Sequence, residues 1–491
     1  MVRFAAWNKV SAEGFCRLPS STNKARVLSV DAGGQSVRAA LFSTSGKCLS
    51  YSRHRCAHQM DHSAVEHDPR AVLAAIRLCL ENLSLEGEIS AAAIVSHGAS
   101  VVCYRRSDGL LLSPIISWQD QRGEQYLGDF PLDNERVHSL TGLPLSSHYG
   151  ATKLRWCLDH LPQVRKAQRE NDLSAGPLMS FLLHQLCSER PVTVDSVNAS
   201  RTQLWNLHDR QWDPVLSEAF GVPASVLPTG RDACTRYGTL DIAAKRIPVV
   251  FASRDQQAAI FFDGWPAENT AYINLGTGAF IQCLIREPGG PKNLLINRVL
   301  AGSENSNPLY TLEGTVHGAA GAIPWLEHHL GFEIEAENLR EALSLVPEEE
   351  KRLYFINGVM GMGSPYWRSK PVAKFSDHLT DQEKLLAWME SVIFMLVENF
   401  TLMKPFTAAD RLSLSGGFSN LSGLAQRLAD LIGLPCYVSS DHEATLRGAA
   451  YMAAGQPEEW QTEAPNEYLP TINLGLSNRY QQWREAMGCA K

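Results

Sequence analysis

The chain has no Cys-x-x-Cys pair, no purely apolar run approaching the ~20 residues that a membrane-crossing helix requires, and no Lys/Arg-rich block beyond its first residues. Each absence excludes a class of protein. Eleven scattered cysteines, an odd number, indicate neither a disulfide framework nor a zinc ribbon. They are expected to be reduced, mostly buried thiols, as in a cytoplasmic protein. The best apolar candidate, Val392 to Val397, is far too short to span a bilayer, so no membrane partner is expected. A formal net charge of −7 without a concentrated basic field argues against a nucleic-acid surface. Residues 1–26 carry Arg3, Lys9, Arg17, Lys24 and Arg26 against Glu13 alone and lack the apolar core of a secretory signal. A transit peptide and a loose terminal extension both fit that composition, the extension being the simpler reading.

What is present is an α/β pattern too long for one core. At 491 residues the default is two large domains with a ligand cleft between them. The expected division is an extension over 1–26, a first domain over 27–246, a second over 247–456 and a tail over 457–491. The organising stretch is Ile247 to Ile260, IPVVFASRDQQAAI. Its short, continuous β-branched run predicts a strand covered on both faces, ending in Arg254-Asp255-Gln256 and turning into a helix. Ligands of open α/β sheets collect beyond the carboxyl ends of strands, so Asp255 is a candidate site residue; a helix cap is the bland alternative.

Two further stretches repeat one plan. Arg26 to Asp31 is an apolar strand that turns through Ala32-Gly33-Gly34-Gln35-Ser36 and returns as Val37 to Phe42. Ala271 to Leu275 turns through Gly276-Thr277-Gly278 and returns as Ala279 to Ile281. Exposed amides of a glycine turn can cradle phosphate, and a duplicated strand-turn-strand suggests two related domains, each offering a phosphate loop. A third glycine pair, Gly416-Gly417, closes the strand Leu412 to Ser415 and leaves bare backbone against which a flat ring can lie.

Other polar clusters are ambiguous. His54, His58, His62 and His67 have spacings that suggest metal ligands, but no apolar stripe supports a helix there and Asp68-Pro69 starts the next one, so exposed loop histidines are the preferred reading. His97 lies between two apolar runs, at a strand end where it can meet a ligand or serve as a satisfied core histidine. Trp118-Gln119-Asp120-Gln121-Arg122 offers an aromatic face, a carboxylate and a guanidinium, suited to a polyol or sugar and equally to an internal salt bridge.

In this order the pieces resemble the FGGY carbohydrate kinases, of the actin, Hsp70 and sugar-kinase superfamily, from about Val27 to about Gln456. The marks are Asp31-Ala-Gly-Gly-Gln-Ser-Val-Arg38, Glu66-His-Asp-Pro69, Trp118-Gln-Asp-Gln-Arg122, Arg254-Asp255-Gln256, Gly276-Thr277-Gly278, and Ser415-Gly416-Gly417 with Gln426-Arg-Leu-Ala-Asp430. The resemblance implies two ribonuclease H-like domains and ATP-dependent phosphorylation of a small ketose or polyol. It implies Asp255 as general base and, with Asp31, as a carboxylate for Mg²⁺. Asp31, Gly33, Gly34, Gln35, Ser36, Arg38, Gly276, Thr277 and Gly278 would serve the ATP phosphates, and Gly416, Gly417 and Asn420 would face adenine. His97, Trp118, Asp120, Asp255 and Gln256 would meet the sugar.

Departures from the family pattern are Gly34 in place of a usual Thr, Pro324 at a ribose-binding Gln position, and Arg254 where a small residue is usual. The Asn-Gln-Arg-Glu signature of glycerol kinases is absent, and Ser96-His97-Gly98 resembles the Met-His-Gly of xylulokinases, which favours a ketose or longer polyol. The Gly34 change keeps open a pseudokinase that senses nucleotide or sugar; an ATPase of the Hsp70 type would leave Asp255 and Trp118 without a substrate. A homodimer is left open.

Overall fold

The computed structural model describes residues 25–488 apart from 57–58, 62–63, 301–307, 349–350, 369–371, 422, 440–442 and 461. The terminal extension over 1–26 therefore lies almost wholly outside the described residues, as do His58 and His62. Two compact units emerge. One comprises 1–266, 297–310 and 444–462, the other 267–296, 311–443 and 463–491.

The first unit is built on a six-stranded sheet with neighbours in the order Cys234–Ile242, Lys245–Arg254, Ile89–Ser96, Arg26–Ala32, Ser36–Ser43, Cys48–Arg55. Arg26–Ala32 and Ser36–Ser43 form the expected antiparallel hairpin, while Ile89–Ser96 and Lys245–Arg254 run parallel to Arg26–Ala32. These parallel strands read as nearly unbroken apolar or small-residue runs because both sheet faces are covered. Helix Pro69–Glu81 packs on one face through Val72, Ile76 and Cys79, and its start follows from the Asp68 cap and Pro69 in its first turn.

Ile247 therefore does not open the second domain: its strand completes the first sheet. The reading from composition fails there because the strand's partner, Ile89–Ser96, lies about 150 residues upstream and leaves no local trace. His54 is a strand residue of Cys48–Arg55 and His67 a buried one of Ala64–His67, so these two are not loop histidines. No group of three or more His, Cys, Asp or Glu side chains able to hold a metal occurs among the described residues.

The second unit repeats the plan. Hairpin Thr270–Leu275 and Ala279–Ile285 has Arg411–Ser415 parallel to its first strand and Cys436–Val438 parallel beyond that, within a seven-stranded sheet. Helix Asp381–Met403 crosses its interior. With the turn after it, to Phe406, it is long and apolar enough by length and composition to cross a membrane, but 83% of its most apolar window is buried inside the protein, as in a core helix. The expected tail is part of this unit. Strand Asn466–Tyr468 adds to the sheet edge, and in helix Leu474–Ala486 Arg479 donates to both carboxylate oxygens of the fully buried Glu390 at 2.7 Å. A buried carboxylate needs such pairing, and the pair anchors the chain end.

Candidate active site

Strand register places the principal candidates. Ala32, Ser96 and Arg254 are level across the three parallel strands. The next residues, Gly33, His97 and Asp255, therefore leave the sheet side by side at its carboxyl edge. With ~4.8 Å between neighbouring strands, the glycine turn and Asp255 stand about 10 Å apart with His97 between them.

Asp31 is fully buried and paired across the hairpin with Arg38, its register partner. The turn between them is closed by the Gly33 amide on the Ser36 carbonyl at 3.1 Å. Gln35 is exposed and Ser36 buried, and a Cβ on Gly34 would meet only the Trp118 Nε1 at 3.8 Å.

His97 is held rigidly. Its backbone amide and its ring Nδ1 both reach the Ala32 carbonyl, at 3.1 and 2.9 Å. A carbonyl only accepts, so Nδ1 carries the proton and Nε2 presents a lone pair. Burial pushes the imidazole pKa down, against the Ala32 carbonyl and the Asp255 charge, which raise it. The ring is 5% exposed, and Nε2 has no hydrogen-bond partner among the described residues. An orphaned buried acceptor is costly unless a ligand supplies a donor.

Asp255 opens the short helix Asp255–Ala259, with its Oδ1 accepting from the Gln256 amide at 2.7 Å and 3.6 Å from Arg254 Nε. Its side chain stays 21% exposed, while Gln256 is buried. Behind this helix runs Ala444–Ala453, where a Cβ on Gly448 would lie 1.9 Å from the Ala258 carbonyl, so only glycine permits that approach.

The aromatic cluster divides. Trp118 is half-buried, with its ring 5.3 Å from that of His148. Asp120, expected to meet substrate, is engaged within the protein: it accepts from the Val65 amide at 2.9 Å and from the Arg122 amide and Nε, and Arg122 goes on to Glu66 at 2.7 Å. This is the internal salt bridge, and it clasps the loop that displays Trp118. Two more residues join this neighbourhood: His67, which the sequence offers only as one of four spaced histidines, and Lys153, which it does not mark as a site residue. His67, inside the Glu66-His-Asp-Pro69 mark, places its ring 5.5 Å from His97. Lys153 is buried in helix Gly150–His160, where its ammonium donates to the carbonyls of Ala99 at 3.2 Å, Trp118 at 3.3 Å and His148. Burial pulls its pKa down to about 7. A lysine on the inward face of an amphipathic helix was the signal that could have revealed it.

In the second unit the Gly276 amide bonds the Gly278 carbonyl at 2.9 Å, and the carbonyls of Gly276 and Thr277 accept from Ala320 and Gly321. Gly416 has φ +95°, and a Cβ there would lie 2.4 Å from the Leu275 carbonyl. Gly417 faces open space, and Asn420 is exposed at the end of the turn Gly417–Asn420. Beside them lies an apolar cavity lined by Leu275, Ala319, Trp388, Met389, Val392, Ile393, Phe418 and Leu424. Pro324 sits in the first turn of helix Ile323–Leu330.

Asp31, Gly33, Gly34, Gln35, Ser36, Arg38, His97, Trp118, Asp120, Asp255 and Gln256 thus belong to the first unit; Gly276, Thr277, Gly278, Gly416, Gly417 and Asn420 belong to the second.

Comparison with known proteins adds an independent result. The N-terminal domain of the FGGY family of carbohydrate kinases matches residues 26–262, and its C-terminal domain matches residues 271–456. A glycerol kinase of Alcanivorax borkumensis is 30% identical over 488 residues, which cover 94% of this chain and 97% of that protein. Glycerol kinase of Plasmodium falciparum, solved with ADP, has a TM-score of 0.81 at 20% identity, covering 95% of this chain and 98% of that one. Xylulose kinase of Rhodospirillum rubrum has a TM-score of 0.80 at 18% identity, covering 94% and 98%.

Proposed function

The chain belongs to the FGGY family of carbohydrate kinases and is an ATP-dependent kinase of a small polyol or sugar with the two-domain, actin-like fold; from that premise we propose that Asp255 is its general base. The observation that carries this reading is the levelling of Gly33, His97 and Asp255 at one sheet edge, with the His97 Nε2 lone pair unanswered.

Phosphoryl transfer requires chiefly positioning and charge stabilisation. Asp255 takes the proton of the attacking hydroxyl, His97 accepts from a second hydroxyl, Gln256 stands behind the base and the Trp118 ring supports the carbon chain. In the first unit the Gly34 amide and the polar atoms of Gln35, Ser36 and Arg38, and in the second the Gly278 amide and the Thr277 hydroxyl, receive phosphate oxygens, while the amides of Gly33 and Gly276 hold the two turns in shape. Gly416, Gly417 and Asn420 face the adenosine end. The oxygen-only donor set of Asp31 and Asp255 suits Mg²⁺, which when bound neutralises phosphate charge. The unpaired thiols of Cys56, Cys79, Cys103, Cys157, Cys187, Cys234, Cys283 and Cys436 support a cytoplasmic enzyme.

For the acceptor, the sequence relative named above is a glycerol kinase, so glycerol heads the test panel. His97-Gly98 in place of the glycerol-kinase signature supports a ketose or a longer polyol. Coupled ADP release with glycerol, polyols and ketoses identifies the acceptor. Asp255→Asn is expected to lower acceptor-dependent turnover by ~10²–10⁴ while leaving ATP binding nearly intact; turnover equal to wild type sinks the assignment.

A further inference from the structure

Resting on the acceptor site just proposed, we propose that Arg254 is a specificity-determining residue of that site, its guanidinium donating to an acceptor oxygen adjacent to the hydroxyl that Asp255 deprotonates. Arg254 is the last residue of its strand, level with Ser96, and it is buried. From there its side chain crosses the neighbouring strand's end and lies on Gly98: a Cβ at Gly98 would sit 2.6 Å from Arg254 Cδ and 2.7 Å from Nε. Gly98 is therefore bare because the arginine occupies its side-chain space. The guanidinium is tethered by Gln257, whose Oε1 accepts from Nη1 at 3.3 Å, and Nε stands 3.6 Å from Asp255 Oδ1. This puts a fixed cation beside the base and against the residue following His97.

The three groups form a code. Asp255 and the His97 Nε2 only accept, and a guanidinium only donates. Two hydroxyl protons and one oxygen lone pair satisfy them together, which selects an acceptor with at least three neighbouring oxygens, the third a hydroxyl, carbonyl or carboxylate. A hydrogen bond from a charged donor changes affinity by about ten- to a hundredfold.

The test uses the full-length enzyme and the acceptor that the panel identifies. Arg254→Gln is expected to raise the acceptor KM about ten- to a hundredfold, with a smaller fall in kcat and an unchanged ATP KM; Arg254→Lys restores part of the loss. Gly98→Ala, which displaces the guanidinium without removing it, gives the same pattern and serves if Arg254→Gln does not fold. A deoxy acceptor lacking the third oxygen is expected to cost wild type what the substitution costs, with no further loss when both are combined. An acceptor KM unchanged in both variants, whatever their melting temperatures, overturns the proposal, as does full additivity with every deoxy position. Failure of the base assignment reads out separately, as retained turnover in Asp255→Asn.

Discussion

The two units share a plan and differ in charge. Each has a glycine-turn hairpin, a parallel strand beside it and a second parallel strand beyond. In the first unit the hairpin carries Asp31, the next strand ends in His97-Gly98, and the one beyond delivers Arg254 and Asp255. At the corresponding places the second unit has Asn274, Gly416-Gly417 and Ser439. Ionisable groups at the first set of strand ends suit proton and metal chemistry; bare backbone and an apolar cavity at the second suit a neutral ring. One architecture thus supplies either a reactive edge or a platform, depending on a handful of residues at the strand ends.

Giving the first hairpin the chemistry of the second is the most damaging way to break that contrast. Asp31→Asn removes a buried carboxylate and leaves Arg38 facing a neutral amide. The expected result is a fall in kcat of about a hundredfold or more, partly recovered by raising Mg²⁺, with stability lowered by about 3 kcal/mol as for a broken buried pair. Coupled kinetics across a Mg²⁺ series and denaturant melts measure both. A loss of activity indifferent to Mg²⁺ would remove Asp31 from the metal site.

Next comes the platform. Gly416→Ala forces a Cβ onto the Leu275 carbonyl at a positive φ, a strain of about 1–3 kcal/mol. The ATP KM is expected to rise roughly tenfold with the acceptor KM unmoved, and an unmoved ATP KM would separate Gly416 from nucleotide binding.

Much of this site was legible because it is local. A β-branched run that stops at Asp255 and glycines that interrupt apolar strands are short-range signals with short-range causes. What escaped was decided at long range. Composition puts a domain limit at Ile247 because nothing near that residue announces a parallel partner at Ala92. Asp120 reads as a sugar ligand or as half of a salt bridge, and the Val65 amide that occupies it arrives from 55 residues away. The tail joins the second unit through strand Asn466–Tyr468 on Cys436–Val438 and through Arg479 meeting Glu390, and Arg254 makes sense only once Gly98 lies beneath it.

Lys153 has the third effect in size, and it sharpens the contrast through pH. Its ammonium, burdened by burial, faces Asp120, which favours the charge, and Arg122, which opposes it. As pH rises through about 7 the amine keeps two protons for three carbonyls, so the clasp on the His97 and Trp118 loops slackens. Acceptor kcat/KM is expected to fall severalfold from pH 6.5 to 8.5. Stability moves the other way. Between about 7 and the unfolded value of 10.5, the unfolded chain holds a proton the folded one has released, so this lysine's contribution rises with pH over that window. Melts of wild type and Lys153→Met across that range isolate it as a slope that the variant lacks; parallel curves would show that Lys153 does not titrate there.

The smallest effect is expected at Gly34, the one place where the first loop lost a hydroxyl that the second keeps in Thr277. A Cβ there finds only Trp118 Nε1, at an ordinary 3.8 Å, and the residue's φ lies outside the left-handed region, so Gly34→Thr fits without strain. The amide that would bind phosphate is already present, and the added hydroxyl contributes one neutral hydrogen bond to an oxygen that Mg²⁺ and backbone amides also share, worth about 0.5–1.5 kcal/mol. The ATP KM should therefore drop about two- to tenfold, with the melting temperature nearly unchanged. A larger gain in kcat than in KM would mean that the missing hydroxyl acts on the transition state, and that the two loops differ in catalysis as well as in charge.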